Sequence, residues 1–358
     1  MSVKLSIHSN IRDYEALFEP TDAFIDSLTK YPQPCFVVDE NVWKIYSSTL
    51  LKRLPEKEVI VIPINENRKN LDTVQELYDR LVEYPAKRNL TMVSIGGGIL
   101  QDVSGFVAST IYRGVAWVYI PTTLLAQADS CIGSKTSLNY RSYKNLVGTF
   151  YPPTSIHIYT PFLQTLQNSD FYSGFGEVIK LHLMGGRNLF DLLVDLSPSI
   201  LRREPEALTR VIQQSLNVKL TYMEGDEFDM GRRNLLNYGH DFGHAVENTS
   251  NFDVPHGQAV IFGMIAANIV ARQRGLLDAE VEKKIAEKLL FPNLLIKPPP
   301  ESLEFDAVVG AMKKDKKRVG DKLALIMMHT DFIFSRVTDL AIEEVSLTLS
   351  ELKTRLGY

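Results

Sequence analysis

The chain has few cysteines and no long apolar segment. Its 358 residues include two cysteines, Cys35 and Cys131, which are too few for a disulfide framework and favour a reducing compartment. The N-terminal "MSVKLSIHSN" lacks the apolar core of a signal peptide. The longest apolar run, residues 259–271, is too short to cross a bilayer. These absences predict a cytoplasmic protein without a membrane segment.

Basic charge is also scarce. The formal net charge is −4, the pI is about 6.0, and the one marked Lys/Arg run is "KKDKKR" at 313–318. This balance does not suggest a nucleic-acid partner. Because long-range attraction would be weak, an anionic small molecule would have to be bound by local basic groups.

The N-terminal part of the sequence predicts an α/β domain at 1–155. Four segments rich in Val and Ile, 35–40, 58–64, 91–98 and 116–123, are typical of buried parallel strands. Helical stretches separate them, and strand–helix alternation favours an open parallel sheet with helices on its faces.

The remainder, 156–358, is predicted to be mainly α-helical. A proline-rich connector at 291–303 and a short hairpin within 322–337 interrupt the helical pattern, and the chain ends in a helix. The expected helices are 162–168, 172–194, 198–203, 205–224, 233–249, 256–274 and 278–290.

A glycine-rich turn, "SIGGGILQDVSGF", follows one predicted strand and begins a helix. Glycines let the backbone approach a ligand, and a helix N-terminus offers unpaired N–H groups to a phosphate. Asp102 is expected in the first turn of this helix. The spacing differs from G-x-G-x-x-G, so a plain strand–helix turn is the alternative.

A polar segment follows the strand at 116–123. Thr122 and Thr123 lie where this strand ends, the edge at which open α/β sheets bind ligands. A solvated loop is the alternative to a binding segment. Charged and amide side chains continue through it at Asp129, Lys135, Lys144 and Asn145.

The segment "NYGHDFGHAVENTSNFDVPHGQ" holds three of the seven histidines. His240 and His244 are four residues apart and so share a helix face; Arg233 and Asn237 are predicted on that same face. His256 is expected at or near the start of the next helix. Histidines on two adjacent helices can bind a divalent metal with a carboxylate as third ligand and an open fourth position.

Glu177 is the candidate carboxylate. In "GFGEVIK", Glu177 and Lys180 are three residues apart on one face of an apolar helix, where charged groups are unfavourable unless they are paired or used. An interhelical ion pair with polar core histidines is the alternative to a metal site.

Seven segments together resemble the sugar-phosphate cyclase superfamily, and the 3-dehydroquinate synthase family most. The resemblance spans about residues 35–330 and implies a Rossmann-like NAD-binding domain followed by a helical metal- and substrate-binding domain. The segments, in the family's order and spacing, are "GGGILQDVSGFVAS…YRG", "PTTLLAQADS", "KT", "KNLVGTFYPP", "GFGEVIK", "RNLLNYGHDFGHAVE" and "PHGQAV".

The resemblance implies a metal, Zn²⁺ or Co²⁺, bound by Glu177, His240 and His256. His244 matches a histidine near the transferred proton and the phosphate. It also implies NAD as cofactor. The residues that match the family's NAD contacts are Asp39, Asn41, Glu66, Lys69, Gly97, Gly98, Asp102, Thr122, Thr123, Leu125, Lys144 and Thr165.

The family's polar cage for a sugar phosphate also has counterparts. Lys316 is favoured over Lys317 for the lysine in "DKK". Arg113 matches an arginine that the family supplies across a dimer interface, which implies a homodimer. The remaining cage residues are Asp129, Lys135, Asn145, Lys180, Lys219, Arg233, Asn237 and His244.

The implied reaction converts 3-deoxy-arabino-heptulosonate 7-phosphate to 3-dehydroquinate and phosphate. It proceeds by transient oxidation, β-elimination of phosphate, re-reduction and intramolecular aldol closure. Three alternatives stay open: a cyclase for sedoheptulose 7-phosphate or another neutral sugar phosphate (a valiolone- or inosose-type synthase), a metal-dependent polyol dehydrogenase that releases NADH, and a non-enzymatic subunit.

Three departures from the family pattern leave the exact substrate open. Gln101 stands where a glycine is usual, and Ser134 and Ser137 stand where small glycine-type residues are common. "NYRSYKN" replaces the usual N-x-P-x-G-K-N loop. The last change adds Tyr140, Arg141 and Tyr143.

Overall fold

The computed structural model describes residues 3–85, 88–141, 143–314 and 323–358. The chain divides into two compact units, Met1–Leu166 and Gln167–Tyr358. Within the described ranges, no helix has both the length and the apolar character that crossing a membrane requires.

The first unit is built on a seven-stranded sheet in the order β1-β2-β9-β6-β5-β3-β4, and β7 and β8 form a separate antiparallel hairpin. All neighbours in the large sheet are parallel except β1 and β2. The strands are β1 Val3–Ile7, β2 Tyr14–Phe18, β3 Pro34–Asp39, β4 Val59–Ile62, β5 Thr91–Gly96, β6 Ala116–Pro121, β7 Lys135–Tyr140, β8 Tyr143–Phe150 and β9 Ser155–Ile158.

The four predicted parallel strands are confirmed as β3, β4, β5 and β6. Every residue of β5 is buried, as expected for a central strand covered on both faces. Strand β9 belongs to the same sheet, so this unit continues past residue 155 to Leu166. Its helices are α1 Phe24–Leu28, α2 Glu40–Tyr46, α3 Leu71–Val82 and α4 Gly98–Thr110.

The second unit is mainly helical, with one antiparallel hairpin of strands β10 and β11. Its elements are α5 Asn168–Met184, α6 Arg187–Leu201, α7 Pro205–Met223, α8 His240–Thr249, α9 His256–Gln273, α10 Ala279–Ile285, α11 Phe291–Asn293, α12 Phe305–Lys314, β10 Leu323–Met328, β11 Phe334–Leu340 and α13 Ile342–Leu356.

Helix α9 is the core of this unit. All of its residues from Gly257 to Ala271 are buried, as expected for a helix that is apolar on every side. It packs against α5, α8, α13 and β10. The apolar run of the sequence thus carries His256 at its N-terminal end and holds the neighbouring helices in place.

Two predicted helices are interrupted at glycines. The helix expected at 172–194 is wrong because Gly186, with φ 96°, separates α5 from α6. The helix expected at 233–249 is also wrong. A 3₁₀ helix at Arg232–Asn237 precedes α8, and Gly239, with φ 81°, lies between them in the left-handed region that favours glycine.

Candidate metal centre and nucleotide-binding turn

The structure brings Glu177, His240 and His256 together in the helical unit. Glu177 lies in the middle of α5, whereas His240 and His256 are the first residues of α8 and α9. Glu177 Oε1 lies 3.0 Å from His256 Nε2 and 3.4 Å from His240 Nε2. One ligand atom from each residue lies within 4.8 Å of the other two.

A backbone contact between α5 and α9 sets the position of two of these residues. Glu177 follows Gly176, and Gly257 follows His256. A Cβ at Gly176 would overlap the carbonyl oxygen of Gly257, and a Cβ at Gly257 would overlap that of Ser173. The Gly257 N–H also donates to the Ser173 hydroxyl at 3.0 Å. Glycine therefore lets the two helices meet without intervening side chains.

A similar contact joins α8 to α9. A Cβ at Gly263 would overlap the carbonyl oxygen of Gly239, which immediately precedes His240. A Cβ at Gly239 would in turn lie 2.8 Å from the carbonyl oxygen of Val260, closer than Cβ atoms normally approach backbone. The separation of His240 from His256 is thus fixed by the same kind of glycine packing.

The donor set fits a divalent metal such as zinc. Two nitrogens and one carboxylate oxygen are common ligands of a catalytic zinc, and ligands of a tetrahedral ion lie about 3.3 Å from one another, near the separations of 3.0 and 3.4 Å found here. The Nδ1 atom of His240 lies 3.2 Å from the carbonyl oxygen of Tyr238, so the ring hydrogen belongs on Nδ1 and Nε2 is left as an acceptor. Acceptor atoms this close require a proton or a cation between them.

Lys180 sets the charge state of this cluster. Its Nζ lies 2.6 Å from Glu177 Oε2, and both side chains are buried. Burial alone would raise the pKa of Glu177, but Lys180 and His240 outweigh it and hold that pKa well below its usual range. Burial, aided by Lys180, lowers the pKa of His240 to about 4. An ionised Glu177 and a neutral His240 are the states that bind a metal.

A second group of potential ligands shares His256. His244, Glu247 and His256 also place one ligand atom each within 4.8 Å. Glu247 Oε2 lies 3.3 Å from His256 Nδ1. Burial would lower the pKa of His256, but the carboxylates of Glu247 and Glu177 outweigh it and raise that pKa to about 10. Glu247 was not among the predicted residues, although its position seven residues after His240 places both on one face of α8.

The other predicted residues of this unit lie on separate elements. Lys219 is buried on α7, and Arg233 and Asn237 lie on the 3₁₀ helix. The predicted continuous face from Arg233 to His244 is therefore wrong, since Gly239 breaks the helix. Arg233 is buried, and its backbone N–H donates to the Asp226 carboxylate at 2.8 Å.

In the first unit, the glycine turn connects β5 to α4. Gly97 is the N-cap of α4, and Asp102 is its fifth residue, so the expectation that Asp102 lies in the first turn is wrong. The Thr122 N–H donates to the Gly96 carbonyl at 3.0 Å. A Cβ at Gly97 would lie 2.9 Å from the Thr123 methyl group. The turn is thus partly exposed and has both threonines packed beside its backbone.

The glutamine in this turn has a structural role. Gln101 donates through Nε2 to the Ser130 carbonyl at 2.6 Å, and the Ser130 hydroxyl donates back to Gln101 Oε1 at 2.7 Å. These two bonds tie α4 to a π-helical turn at Ala126–Ser130. Leu125 precedes that turn and lies 3.9 Å from where a Cβ on Gly98 would be. The departure at Gln101 is therefore accommodated by its own hydrogen bonds.

Lys69 joins two other predicted residues. Its ammonium contacts the Asp102 carboxylate and donates to Asn145 Oδ1 at 2.6 Å. Lys69 is buried, and Asp102 is half-buried. Burial raises the pKa of Asp102 above its usual value, although Lys69 opposes that shift. Asn145 has φ 52°, a conformation that asparagine tolerates better than most residues.

The β7–β8 hairpin is also tied to Glu66. Lys144 Nζ lies 3.7 Å from Glu66 Oε1, and Asn139 Nδ2 donates to the same oxygen at 2.9 Å. Asn139 in turn accepts from the Asn145 N–H at 2.9 Å. Residues far apart in sequence thus contact one hairpin, which lies where a polar segment was predicted.

The remaining predicted residues are dispersed. Asp39 caps α2 by accepting from the Asn41 N–H at 2.8 Å, and Thr165 lies 2.7 Å from the Tyr46 hydroxyl. Arg113 is exposed, with φ 66°. Lys316 and Lys317 lie outside the described residues. Two further predictions fall on the π-helical turn and at the start of β7, namely Asp129 and Lys135.

Several solved structures of known proteins are similar to this chain. Solved structures of similar fold include 2-epi-5-epi-valiolone synthase from Streptomyces hygroscopicus subsp. jinggangensis 5008 with NAD⁺ and Zn²⁺ bound, 25% identical, with a TM-score of 0.86 over 98% of this chain and 99% of that one. A 2-deoxy-scyllo-inosose synthase with carbaglucose-6-phosphate, NAD⁺ and Co²⁺ is 22% identical, with a TM-score of 0.78 over 99% of this chain and 100% of that one, and shows the fold alone. The iron-containing alcohol dehydrogenase of Thermotoga maritima shares the fold more distantly, at 16% identity and a TM-score of 0.60 over 91% and 93% of the two chains.

Sequence relatives give a narrower result. A 3-dehydroquinate synthase from Syntrophotalea carbinolica is 37% identical over 303 residues, 83% of each chain. One from Streptococcus pyogenes serotype M3 is 33% identical over 340 residues, 91% of this chain and 93% of the other. The family models for the 3-dehydroquinate synthase N-terminal and C-terminal domains match residues 59–173 and 174–318. The chain therefore belongs to the 3-dehydroquinate synthase family.

Proposed function

We propose that this protein is a 3-dehydroquinate synthase that depends on NAD and a divalent metal. It converts 3-deoxy-arabino-heptulosonate 7-phosphate to 3-dehydroquinate and phosphate, a reaction of the shikimate pathway. The observation that carries the proposal is the cluster of Glu177, His240 and His256 with Lys180 beside it. Relatives named 3-dehydroquinate synthase, 33–37% identical over most of the chain, support the same activity.

Glu177, His240 and His256 would hold the metal, Zn²⁺ or Co²⁺, through one carboxylate oxygen and two Nε2 atoms. When bound, the metal lowers the pKa of a substrate hydroxyl and polarises the ketone that forms from it. The protein keeps Glu177 ionised and His240 neutral, whereas His256 would release its second ring proton when the metal binds. Lys180 keeps Glu177 ionised, and the Tyr238 carbonyl directs Nε2 of His240 into the cluster.

The glycine turn and the two threonines after β6 would hold NAD in the first unit. NAD bound there would supply a hydride acceptor for the substrate carbinol, and the resulting NADH would return the hydride in the later reduction, so that the cofactor is regenerated within one turnover. The unpaired N–H groups at the start of α4 suit a pyrophosphate. Gly97 and Gly98 are partly exposed, so their backbone is accessible to a ligand.

The helical unit also supplies groups for an anionic substrate. The guanidinium of Arg233 has the fork geometry that recognises a carboxylate, and Lys219 adds a second buried cation. His244 and Asn237 are the proposed phosphate contacts. A phosphate held in place can take the proton from the neighbouring C–H as it leaves, which makes the elimination intramolecular.

A homodimer is part of the proposal, with Arg113 acting across the interface. Its exposure in the single chain is compatible with that role. An Arg113→Ala variant mixed with an inactive His240→Ala variant should regain activity, because mixed dimers would contain one complete site. Activity that stays absent after mixing, with mixed dimers demonstrated, would show that Arg113 acts within its own chain.

The proposal includes a cytoplasmic location. Cys35 and Cys131 are both buried thiols rather than a disulfide, and burial raises the pKa of Cys35 to about 12. Inert, reduced cysteines are typical of proteins from reducing compartments. Cell fractionation with an antibody to the protein would test this location.

The deciding experiment is phosphate release with NAD and Zn²⁺ or Co²⁺. Purified protein is given 3-deoxy-arabino-heptulosonate 7-phosphate or sedoheptulose 7-phosphate, and absorbance at 340 nm is followed. Release from the acid alone, without lasting NADH, supports the proposed reaction. Lasting NADH without phosphate release would instead indicate a dehydrogenase.

A cyclase for a neutral sugar phosphate is the second candidate. The structural similarity to 2-epi-5-epi-valiolone synthase, with a TM-score of 0.86, favours it, as does the altered loop with Tyr140 and Tyr143. Buried Lys219 and Arg233 favour the acid substrate instead. Phosphate release from sedoheptulose 7-phosphate alone would establish this second candidate.

A further inference from the structure

Glu247 is a buried carboxylate beside a predicted metal ligand. It lies near the C-terminal end of α8, with 6% of its surface exposed, and its Oε2 is 3.3 Å from Nδ1 of His256. The other ring nitrogen of His256, Nε2, lies 3.0 Å from Glu177 Oε1. His256 is thus held between two carboxylates, one at each nitrogen.

We infer that Glu247 is a positioning residue that fixes the orientation and tautomer of His256 for metal binding. An ionised carboxylate only accepts hydrogen bonds, so the ring hydrogen of neutral His256 belongs on Nδ1. The Nε2 lone pair then faces Glu177 and His240. This inference rests on the proposed metal site but assigns a residue outside its ligand set.

The two histidines differ in what their Nδ1 atoms contact. Nδ1 of His240 lies 3.2 Å from the backbone carbonyl oxygen of Tyr238, whereas Nδ1 of His256 faces the carboxylate of Glu247. A carboxylate partner raises the basicity of a metal-bound imidazole more than a neutral carbonyl does. The His256 ring is also less restrained by packing, because 34% of its side chain is exposed, compared with 12% for His240.

The alternative role of Glu247 is as a direct ligand in the group with His244 and His256. In that arrangement Nδ1 of His256 would be a ligand atom and a metal would lie on the Glu247 side of the ring. The positioning role predicts one metal per chain. A second metal that depends on Glu247 would overturn it.

The test is zinc affinity of the full-length apoprotein, measured by competition with a chelating dye. Glu247→Gln should bind zinc about 10- to 100-fold more weakly, and Glu247→Asp should retain part of the affinity. Bound Co²⁺ should show an altered visible spectrum in Glu247→Gln. The matched control is Glu282→Gln, another buried glutamate of this unit, which pairs with Arg355 at 2.7 Å; it should leave zinc affinity unchanged even if it lowers the Tm.

A double variant makes the test specific to His256. In a His256→Ala background, Glu247→Gln should have no further effect on the remaining zinc affinity, because its target is gone. An equal loss in both backgrounds, or unchanged affinity in the single variant, would overturn the inference while leaving the proposed metal site intact. A wild-type protein that binds no metal would overturn both.

Discussion

Both units contain a buried lysine against a carboxylate, but the two pairs differ in what else the carboxylate faces. In the α/β unit, the Lys69 ammonium contacts the Asp102 carboxylate and also donates a hydrogen bond to Asn145 Oδ1. In the helical unit, Lys180 contacts one oxygen of Glu177, while the other oxygen faces the Nε2 atoms of His240 and His256.

The difference separates a satisfied ion pair from a site that needs a ligand. Lys69 and Asp102 neutralise each other, and burial moves the pKa of Asp102 upward. At Glu177, Lys180 and His240 outweigh the effect of burial and hold the pKa of the carboxyl well below its usual range, so it stays ionised. A carboxylate kept ionised and directed at two imidazoles is the arrangement that a divalent cation completes.

The largest expected effect comes from removing the charge at Glu177. Glu177→Gln should lose metal binding and reduce turnover about 1000-fold or more, because the metal contributes several kcal/mol to the reaction. Metal content by elemental analysis and phosphate release are the measurements. Glu287→Gln, at an exposed glutamate of the same unit, is the control and should change neither. Full metal content in Glu177→Gln would contradict the ligand assignment.

A smaller effect is expected from breaking the pair in the α/β unit. Lys69→Met should lower the free energy of unfolding by about 2 kcal/mol, less than for a fully buried pair because Asp102 is only half-buried and can protonate. Adding Asp102→Asn should restore most of the loss, as measured by urea unfolding of the two single variants and the double variant. Lys44→Met, which breaks an exposed pair with Glu40, should change stability by about 0.5 kcal/mol or less. If Lys69→Met lowered the free energy of unfolding no more than Lys44→Met does, the Lys69–Asp102 pair would not stabilise the fold.

The last expected effect is seen only as the pH is lowered, and it concerns His182 of α5, whose pKa shift, unlike that of Glu177, comes from burial and not from a charged neighbour. Burial lowers the pKa of His182 to about 4, opposed by the Val178 carbonyl. The unfolded chain binds a proton below pH 6.5 and the folded chain does not, so stability falls as the pH falls from about 6.5 towards 4. The slope should reach about 1.4 kcal/mol per pH unit. His182→Leu should show a shallower dependence in unfolding measurements between pH 7 and 5; an unchanged dependence would assign it to other groups.

Sequence patterns predicted the elements that depend on local periodicity. The four strands β3 to β6 follow from their runs of Val and Ile, and the helical pattern predicted at 256–274 is found as α9, which begins at His256. The helix breaks at Gly186 and Gly239 were not predicted. The adjacent Gly185 and Gly186 form a turn signal that could have located the first break, whereas the single Gly239 is compatible with a helix.

The assembly of the sites was less predictable. Lys69 contacts Asp102, and Glu247 contacts His256. In neither pair does the spacing in sequence match the period of a helix or a strand, so no local pattern predicts the contact. The family resemblance predicted Lys69 and Asp102 as NAD contacts and His256 as a metal ligand, but it did not predict these pairwise contacts. Helix packing through glycine backbone likewise leaves no apolar pattern for a sequence to reveal.

The backbone contact between α5 and α9 has a consequence for how this protein can change. Because Gly176 and Gly257 leave no room for a side chain, the distance between Glu177 and His256 is set by peptide groups and not by rotamers. Apolar substitutions elsewhere in α9 can alter stability while the spacing of the ligands persists. Substitution is therefore restricted most strongly at Gly176 and Gly257, where only a hydrogen fits in place of a side chain.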